Sequence, residues 1–238
     1  SFGDEKNARY KAALKRFTNE WADHEMSARA IFRHAEVLRA EGELVQAHKL
    51  AKRGISVFPE SVGAKECRNL INQIETKSSL VKTERVWNAP FPEIQLRYRN
   101  LNKAYFRVVS YDWVTYMRES NRRSEYIPSN ERKQWLVKKP VKEWSIDLPP
   151  TKDFKERVEK ITPPKDLQPG SYYLFASHDP EFKEEENQVS YSSFWVSELS
   201  LIVRSLRGSG NLEGFVLNAN TGEPIQGAKV RLWTRETN

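Results

Sequence analysis

Apolar residues in the first third of the chain recur at the spacing of an α-helix and form four successive stripes. Gly42 separates the second stripe from the third, Pro59 ends the third, and Ser61 is a residue type that caps a following helix. We therefore predict about four antiparallel helices in residues 1–78. The stripes are Tyr10, Ala13, Leu14, Phe17 and Trp21; Ala28, Ile31, Phe32, Ala35 and Leu38; Leu44, Ala47, Ala51, Gly54, Ile55 and Phe58; and Ala64, Cys67, Leu70, Ile71 and Ile74.

The segment Ile31–Pro59 resembles one tetratricopeptide repeat, a helical pair with a period of about 34 residues. Its small-residue positions fall on Ala35, Ala47 and Gly54, where paired helices approach closely. Ala51 stands in place of the usual aromatic residue. Generic antiparallel helices are the alternative, and the sequence does not separate the two.

From Leu80 onward, apolar residues alternate with polar ones at a period of two, as they do in β-strands. Pro, Gly and Asn separate the short strands, so residues 79–207 predict an antiparallel, immunoglobulin-like β-sandwich. A phase slip near Glu198 indicates a bulge in a strand over Phe194–Val203, and Arg118–Gln134 is either a loop or a short helix. The predicted core comprises Leu96, Tyr98, Phe106, Val108, Leu174, Val196 and Leu201.

A last alternating pattern follows the linker Arg207–Gly210 and turns at Gly222. We predict that residues 208–238 are the opening strands of a following, truncated β-sandwich. Because a lone hairpin is marginally stable, it is expected to dock on the sandwich or to pair with the edge of a second copy. The fold class is thus α+β multidomain. The apolar positions of this last pattern are Phe215, Leu217, Val230 and Leu232.

The composition indicates a chain that buries cores, since 38% of its 238 residues are hydrophobic and 11% are aromatic. Cys67 is the only cysteine, which excludes an internal disulfide and suits the bacterial periplasm or the cytosol. No apolar run is long enough to cross a bilayer.

The net charge of +7 is concentrated in residues 97–143, where twelve Lys and Arg stand against five Asp and Glu. Such a segment can attract an acidic partner, lipid headgroups or a nucleic acid. Arg97, Arg99 and Arg107 fall on predicted strands. Alternation places Arg97 and Arg99 opposite Tyr98, on a solvent face, whereas an oligonucleotide site needs aromatic faces between the charges. We expect no nucleic-acid partner.

Patterns of catalytic or metal-binding residues are absent from the sequence. Cys67 lies on an apolar stripe, Ser171 lacks a Gly-x-Ser-x-Gly elbow, and Glu184–Glu186 is a charge run in a predicted loop. The histidines show no metal-ligand spacing. We predict a chain that is not an enzyme, with no catalytic, cofactor-binding or metal-ligating residues and no cofactor. The histidines are His24, His34, His48 and His178.

Three stretches of the chain resemble the N-terminal region of bacterial alpha-2-macroglobulins, especially those of the Bacteroidetes type. The resemblance implies that Leu80–Leu206 is a macroglobulin-like domain. The tail Gly214–Leu232 resembles the opening hairpin of the next such domain, and equally a carboxypeptidase-regulatory-like domain. The family's Cys-x-Glu-Gln thioester has no counterpart here, since Arg68, Asn69 and Leu70 follow Cys67. The three stretches are Pro59–Ala64 with Cys67, Leu70, Glu84–Val86 and Pro90; Leu96–Asn100 with Ala104–Val108; and Leu167–Tyr172 with Phe194–Leu199.

By this resemblance, the chain is a non-catalytic scaffold fragment of a broad-range protease trap, an endopeptidase inhibitor that cages a protease after bait cleavage. The implied partners are proteases, through the full-length protein, and other macroglobulin-like domains of the same chain. The implied location is the periplasm, with a membrane tether only through a lipid anchor outside this chain. The alternative is a protein- or glycan-binding module of the bacterial cell envelope, with stacking faces from Trp113, Trp135, Trp144 and Trp195.

Overall fold

Four helices form the first part of the computed structural model, which describes residues 2–120, 125–185, 187–205 and 212–231. They correspond to the four predicted stripes. Gly42 has a φ of 81° between the second and third helices. The Ser61 Oγ accepts a hydrogen bond of 3.1 Å from the backbone N of Ala64 and so caps the fourth, as predicted. The helices are α1 (Phe2–Glu20), α2 (Met26–Ala40), α3 (Leu44–Val57) and α4 (Val62–Glu75).

Helices α2, α3 and α4 pack around small side chains. A Cβ at Gly54 would lie 2.6 Å from the Cys67 Sγ, and a Cβ at Gly63 would lie 2.3 Å from the backbone N of Arg29. These two glycines therefore permit the close approach of the three helices. Helix α1 packs against α2 but leaves much of its apolar stripe in solvent. The buried residues of this helical core are Ile31, Ala35, Ala47, Ala51, Cys67, Leu70, Ile71 and Ile74. The exposed large side chains of the first stripe are Tyr10 and Phe17 on α1 and Trp21 directly after it.

Ten strands and two short helices follow α4 in the described part of the chain. They form a three-stranded sheet in the order β1-β3-β6, a five-stranded sheet in the order β2-β8-β7-β4-β5, and a two-stranded ribbon of β9 and β10. The elements are β1 (Ser78–Lys82), β2 (Val86–Trp87), β3 (Ile94–Arg99), β4 (Lys103–Tyr111), α5 (Trp113–Ser120), α6 (Ser129–Leu136), β5 (Lys142–Asp147), β6 (Arg157–Ile161), β7 (Gly170–Ser177), β8 (Ser190–Val196), β9 (Leu199–Ser205) and β10 (Leu212–Asn218).

The three-stranded and five-stranded sheets share one hydrophobic core. In β3, burial alternates with exposure, so the period-two pattern of the sequence is realised there. The α+β class is confirmed, but a purely antiparallel arrangement is wrong, because β2 and β8 run parallel. Six of the seven predicted core residues are buried, namely Leu96, Tyr98, Phe106, Val108, Leu174 and Val196.

The seventh predicted core residue, Leu201, is 54% exposed, and this prediction is wrong. The stretch Phe194–Val203 is not one bulged strand. It divides at Ser197, whose backbone N donates to the Trp87 carbonyl and whose Oγ accepts from the Leu199 N. These bonds end β8 in the five-stranded sheet and redirect the chain into the ribbon, because alternation alone does not specify the sheet that a strand joins.

The outer face of the five-stranded sheet carries a second, aromatic core. Helices α5 and α6 and the segment between β7 and β8 contribute to it, and it buries Trp135, Tyr173 and Phe175. As a result, seven of the eight residues of β7 are buried, on both faces of the strand. The sequence left open whether Arg118–Gln134 is a loop or a short helix. Both ends of this segment are helical, the first in α5 and the second in α6.

Asn100 and Phe154 are two of the side chains that join the helical part to the sheets. Asn100, in the β3–β4 turn, has a φ of 57°. Its Nδ2 donates to the carbonyls of Ile74 and Thr76, at 2.7 and 3.1 Å, where α4 ends. Phe154, between β5 and β6, packs on the helical core, and its ring centroid lies 4.7 Å from that of His48. The β part thus supplies both a cap and an apolar contact to the helices.

The ribbon β9–β10 is apolar on both faces. Ile202 pairs with Phe215 on one face, and Leu201 pairs with Val216 on the other. Ile202 is 52% and Phe215 is 63% exposed, so the expected docking of the ribbon on the sandwich is wrong for this face. Pairing with a second copy stays a prediction. Three features named from the sequence lie outside the described residues: the linker Arg207–Gly210, Leu232 and Glu186.

Candidate functional site

Cys67 lies in the helical core, in the space between α4 and the Gly54 backbone of α3. Burial, the largest influence on this thiol, raises its pKa from 9.0 to about 11. A thiol of this kind is protonated near neutral pH and has the small, apolar character that core packing needs.

The histidines occupy separate structural environments. The His48 Nε2 lies 2.6 Å from the Glu75 Oε1, and the His24 Nδ1 accepts from the backbone N of Met26. Desolvation by burial lowers the pKa of His34 and of His178. Within the described residues, no three His, Cys, Asp or Glu side chains are grouped so that they could hold a metal ion.

Ser171 and Glu184, two of the candidates that the sequence raised, make local structural bonds. The buried Ser171 Oγ donates to the Tyr111 carbonyl across the β4–β7 ladder. The Glu184 Oε1 lies 3.2 Å from the Arg132 Nη1. Ser171 therefore holds two strands together, and Glu184 ties the loop after β7 to α6.

The basic residues on the strands do not form a row between aromatic faces. Arg97 pairs with Glu156 at 3.3 Å, and the Arg99 Nη2 donates to the Gln73 carbonyl at 3.3 Å. The side chain of Arg107, which also falls on a strand, is only 19% exposed. Its guanidinium lies 4.1 Å from the Phe182 ring centroid, because the loop after β7 covers this part of the sheet.

The four tryptophans proposed as stacking faces are not brought together. Trp144 stacks on Phe106 with a centroid distance of 5.1 Å, and Trp135 is only 7% exposed. Trp113 and Trp195 form a tilted pair at 5.8 Å, in which Trp195 is 37% exposed. Of the four, only this pair combines proximity with an open ring.

A cavity of about 520 Å³ lies over the outer face of the five-stranded sheet. Its aromatic walls are Tyr111 from β4, Tyr116 from α5 and Trp135 from α6. The Tyr111–Tyr116, Tyr111–Trp135 and Tyr116–Trp135 centroids are 5.8, 5.7 and 5.9 Å apart, with interplanar angles of 72°, 79° and 61°. Tyr111 also stacks on the buried Tyr173 at 4.5 Å, which anchors the walls in the sheet.

The polar lining of this cavity is mostly acidic. Among the lining residues that the structure describes, Asp112, Glu119 and Glu131 contribute three carboxyl groups, and Lys138 contributes the only ammonium. Backbone hydrogen bonds, that from Thr115 first, lower the pKa of Asp112, so it is ionised at neutral pH. The Lys138 Nζ lies 3.7 Å from the centroid of the Trp135 ring. We call this group of residues the aromatic pocket.

Sequence reasoning missed the aromatic pocket, although β4 carries a signal for it. Phe106 and Val108 face the main core, while Val109 and Tyr111 also belong to an apolar cluster, on the opposite face. A strand that is apolar on both faces requires cover on both. Trp135 covers this outer face only through a contact between segments distant in sequence. The sequence therefore does not predict that Trp135 forms the third wall of the pocket.

Two of the solved structures that are similar to the chain are fragments of a bacterial alpha-2-macroglobulin. Native alpha-2-macroglobulin from Escherichia coli spanning domains NIE-MG1 has 13% identity and a TM-score of 0.41, over 63% of this chain and 74% of that one. The fragment spanning MG0-NIE-MG1 has 14% identity and a TM-score of 0.43, over 63% of this chain and 48% of that one. The chain thus spans about half of the longer fragment. No protein-family model and no curated protein matches the sequence.

A helix that crosses a bilayer must be long and predominantly apolar. Within residues 2–120, 125–185, 187–205 and 212–231, no helix meets that requirement.

Proposed function

We propose that this chain is a non-catalytic scaffold part of an alpha-2-macroglobulin-like protease trap of the Bacteroidetes type. In this proposal the helices are a tetratricopeptide-like extension, the two sheets are an immunoglobulin-like macroglobulin domain, and the ribbon belongs to the next β-unit. The partners are proteases, bound by the full-length protein, and neighbouring macroglobulin-like domains. The chain performs no catalysis.

The ribbon β9–β10 is the observation that carries this proposal. Isolated strand pairs are marginally stable, and contiguous exposed apolar surface marks an interaction face. Ile202 and Phe215 on one face, and Leu201 on the other, require neighbours on both sides of the ribbon. Further β-units of the same scaffold supply such neighbours. Two of the three stretches that resemble the family fall mainly on β3, β4, β7 and β8, and β8 leads into the ribbon.

The test uses the full-length protein with trypsin. Trypsin activity is measured on a large protein substrate and on a small peptide substrate. A trap shields trypsin from the large substrate and leaves hydrolysis of the peptide intact. Unchanged activity on the large substrate, with no shift of trypsin in native gels, would contradict the proposal.

A paired variant connects this test to the ribbon. Ile202→Lys with Phe215→Lys places charges on the face that a neighbouring unit would cover, so shielding should fall at least about tenfold if roughly 2 kcal/mol of burial is lost. Val158→Lys is the matched control, because Val158 is an exposed apolar residue of β6. Equal shielding by the two variants would exclude the ribbon from the scaffold.

We also propose that the full-length protein is periplasmic and tethered to a membrane through a lipid anchor outside this chain. The single cysteine suits that compartment, since folding needs no disulfide. Fractionation should recover the native protein in the membrane fraction and leave it accessible to protease after the outer membrane is opened. Recovery from the cytoplasm would refute this location.

A further inference from the structure

The aromatic pocket combines three features that belong together in a site for an organic cation. Its walls are the rings of Tyr111, Tyr116 and Trp135, which stand at 61° to 79° to one another. Ring faces carry negative electrostatic potential and attract ammonium groups. The three rings contact one another at steep angles, and each also lines the cavity, so a rounded group in the cavity can touch more than one ring.

The charge of the lining selects the same class of ligand. The chain is basic overall, and residues 97–143 are its most basic part. In the described part of its lining, the pocket nevertheless gathers Asp112, Glu119 and Glu131 against one lysine. These carboxylates favour a positive charge in the cavity by Coulomb attraction at short range, which water weakens at the exposed Asp112 and Glu119. The same carboxylates repel an anionic ligand.

A cation already lies in the pocket. The Lys138 Nζ is 3.7 Å from the Trp135 ring centroid, within the range of a cation–π contact. Lys138 follows the C-cap of α6, its backbone N donates to the Trp135 carbonyl, and the residue is exposed. Its ammonium group can therefore leave for solvent without moving the helix.

We propose that the aromatic pocket is a binding site for an alkylammonium group and that Lys138 is its internal, displaceable occupant. The ligand is either a lysine side chain of a partner protein or a small quaternary amine, which share this chemistry. The site stands on residues of β4, α5 and α6 and is independent of the proposed trap function. Lys138 lowers the affinity for an incoming cation, because that cation must displace the Lys138 ammonium group from the Trp135 ring.

The experiment is isothermal titration of the chain with choline and with N-acetyl-lysine methylamide. 3,3-Dimethylbutanol, the uncharged isostere of choline, is the third ligand. Lys138→Met removes the resident ammonium and should bind a cation roughly tenfold more tightly than the wild type. Lys139→Met is the matched control, since it removes the same charge from the adjacent exposed residue and should leave affinity unchanged. Tighter binding of the lysine amide identifies a partner protein, and tighter binding of choline a free amine.

A second variant examines the acidic wall with little risk to folding. Glu119 is exposed, so Glu119→Gln in the Lys138→Met background should keep the circular dichroism spectrum and weaken cation binding several-fold. The proposal is overturned if Lys138→Met shows no saturable binding of either cation. It is also overturned if 3,3-dimethylbutanol binds as tightly as choline, or if Lys139→Met gains as much affinity as Lys138→Met.

Discussion

Cys67 illustrates how one side chain is matched to one backbone position. Its sulfur packs against the Cα of Gly54. A Cβ at Gly54 would lie only 2.6 Å from that sulfur, which is too close for two such atoms. The thiol is buried, and burial raises its pKa from 9.0 to about 11. The native state therefore keeps the proton over a pH range in which the unfolded thiol has lost it.

This difference predicts a pH-dependent loss of stability. Between pH 9 and about pH 11 the unfolded chain releases the Cys67 proton and the native chain retains it, so the free energy of unfolding falls as pH rises. The loss should reach on the order of 2 kcal/mol by pH 11. Urea titrations of the wild type and Cys67→Ala across this range isolate it, because other titrating groups are common to both chains. Parallel stability curves for the two chains would contradict the prediction.

Helix packing at the element scale depends on the absence of a side chain at Gly63. This residue lies in the first turn of α4, where an added Cβ would be 2.3 Å from the Arg29 N and 2.5 Å from the Ala28 carbonyl carbon. Both atoms are backbone of α2, so no side-chain rotation relieves the clash. At this position, helix propensity therefore favours alanine, whereas packing against α2 favours glycine.

The substitution Gly63→Ala tests whether helix propensity or packing has the larger effect on stability. Helix propensity alone would stabilise the chain by about 1 kcal/mol. We expect instead a loss of about 3 kcal/mol, because α4 must move away from α2. Chemical denaturation followed by far-UV circular dichroism measures the sign directly. The control is Val62→Ala at the neighbouring, exposed position of α4, which should change stability by less than about 0.5 kcal/mol. A Gly63→Ala chain as stable as the control would refute this packing.

At the scale of the whole molecule, Asn100 joins the helices to the sheets. Its side chain donates to two carbonyls at the end of α4, and its backbone N donates to the Thr151 Oγ1 at 2.8 Å. Its φ of 57° lies in the left-handed region, which Asn tolerates better than most residues. Asn100 thus adopts the backbone conformation of the turn, donates a hydrogen bond to the loop before β6 and caps the carbonyls at the end of α4.

Two substitutions separate these contributions. Asn100→Gly keeps the backbone conformation and loses the side-chain bonds, which should lower the free energy of unfolding by about 1–2 kcal/mol. Asn100→Ala adds left-handed strain and should lose about 1 kcal/mol more. The helical signal in circular dichroism should also melt before tryptophan fluorescence changes, since the helices are uncoupled from the sheets. Asn102→Ala, at an exposed position of the same turn, is the control. Coincident transitions at wild-type urea concentrations for all three variants would contradict this role.

The sequence by itself determined the elements whose signals are local. The 3.6-residue spacing in the first third corresponds to α1–α4, with Gly42 at a turn and Ser61 at a cap. The period of two in β3 corresponds to alternating burial, since adjacent side chains of a strand point to opposite faces. Periodicity, capping and turn chemistry act between residues a few positions apart, so one chain is enough to recognise them.

Only the tertiary structure decided which elements cover one another. Leu201 alternates as a core residue does, but β9 pairs with β10 in the ribbon instead of continuing β8. Likewise, Tyr111 and Trp135 meet in the aromatic pocket because α6 folds over the sheet. A local pattern specifies which side of an element is apolar. The partner on that side depends on contacts between distant segments, which are set by the free energy of packing the whole chain.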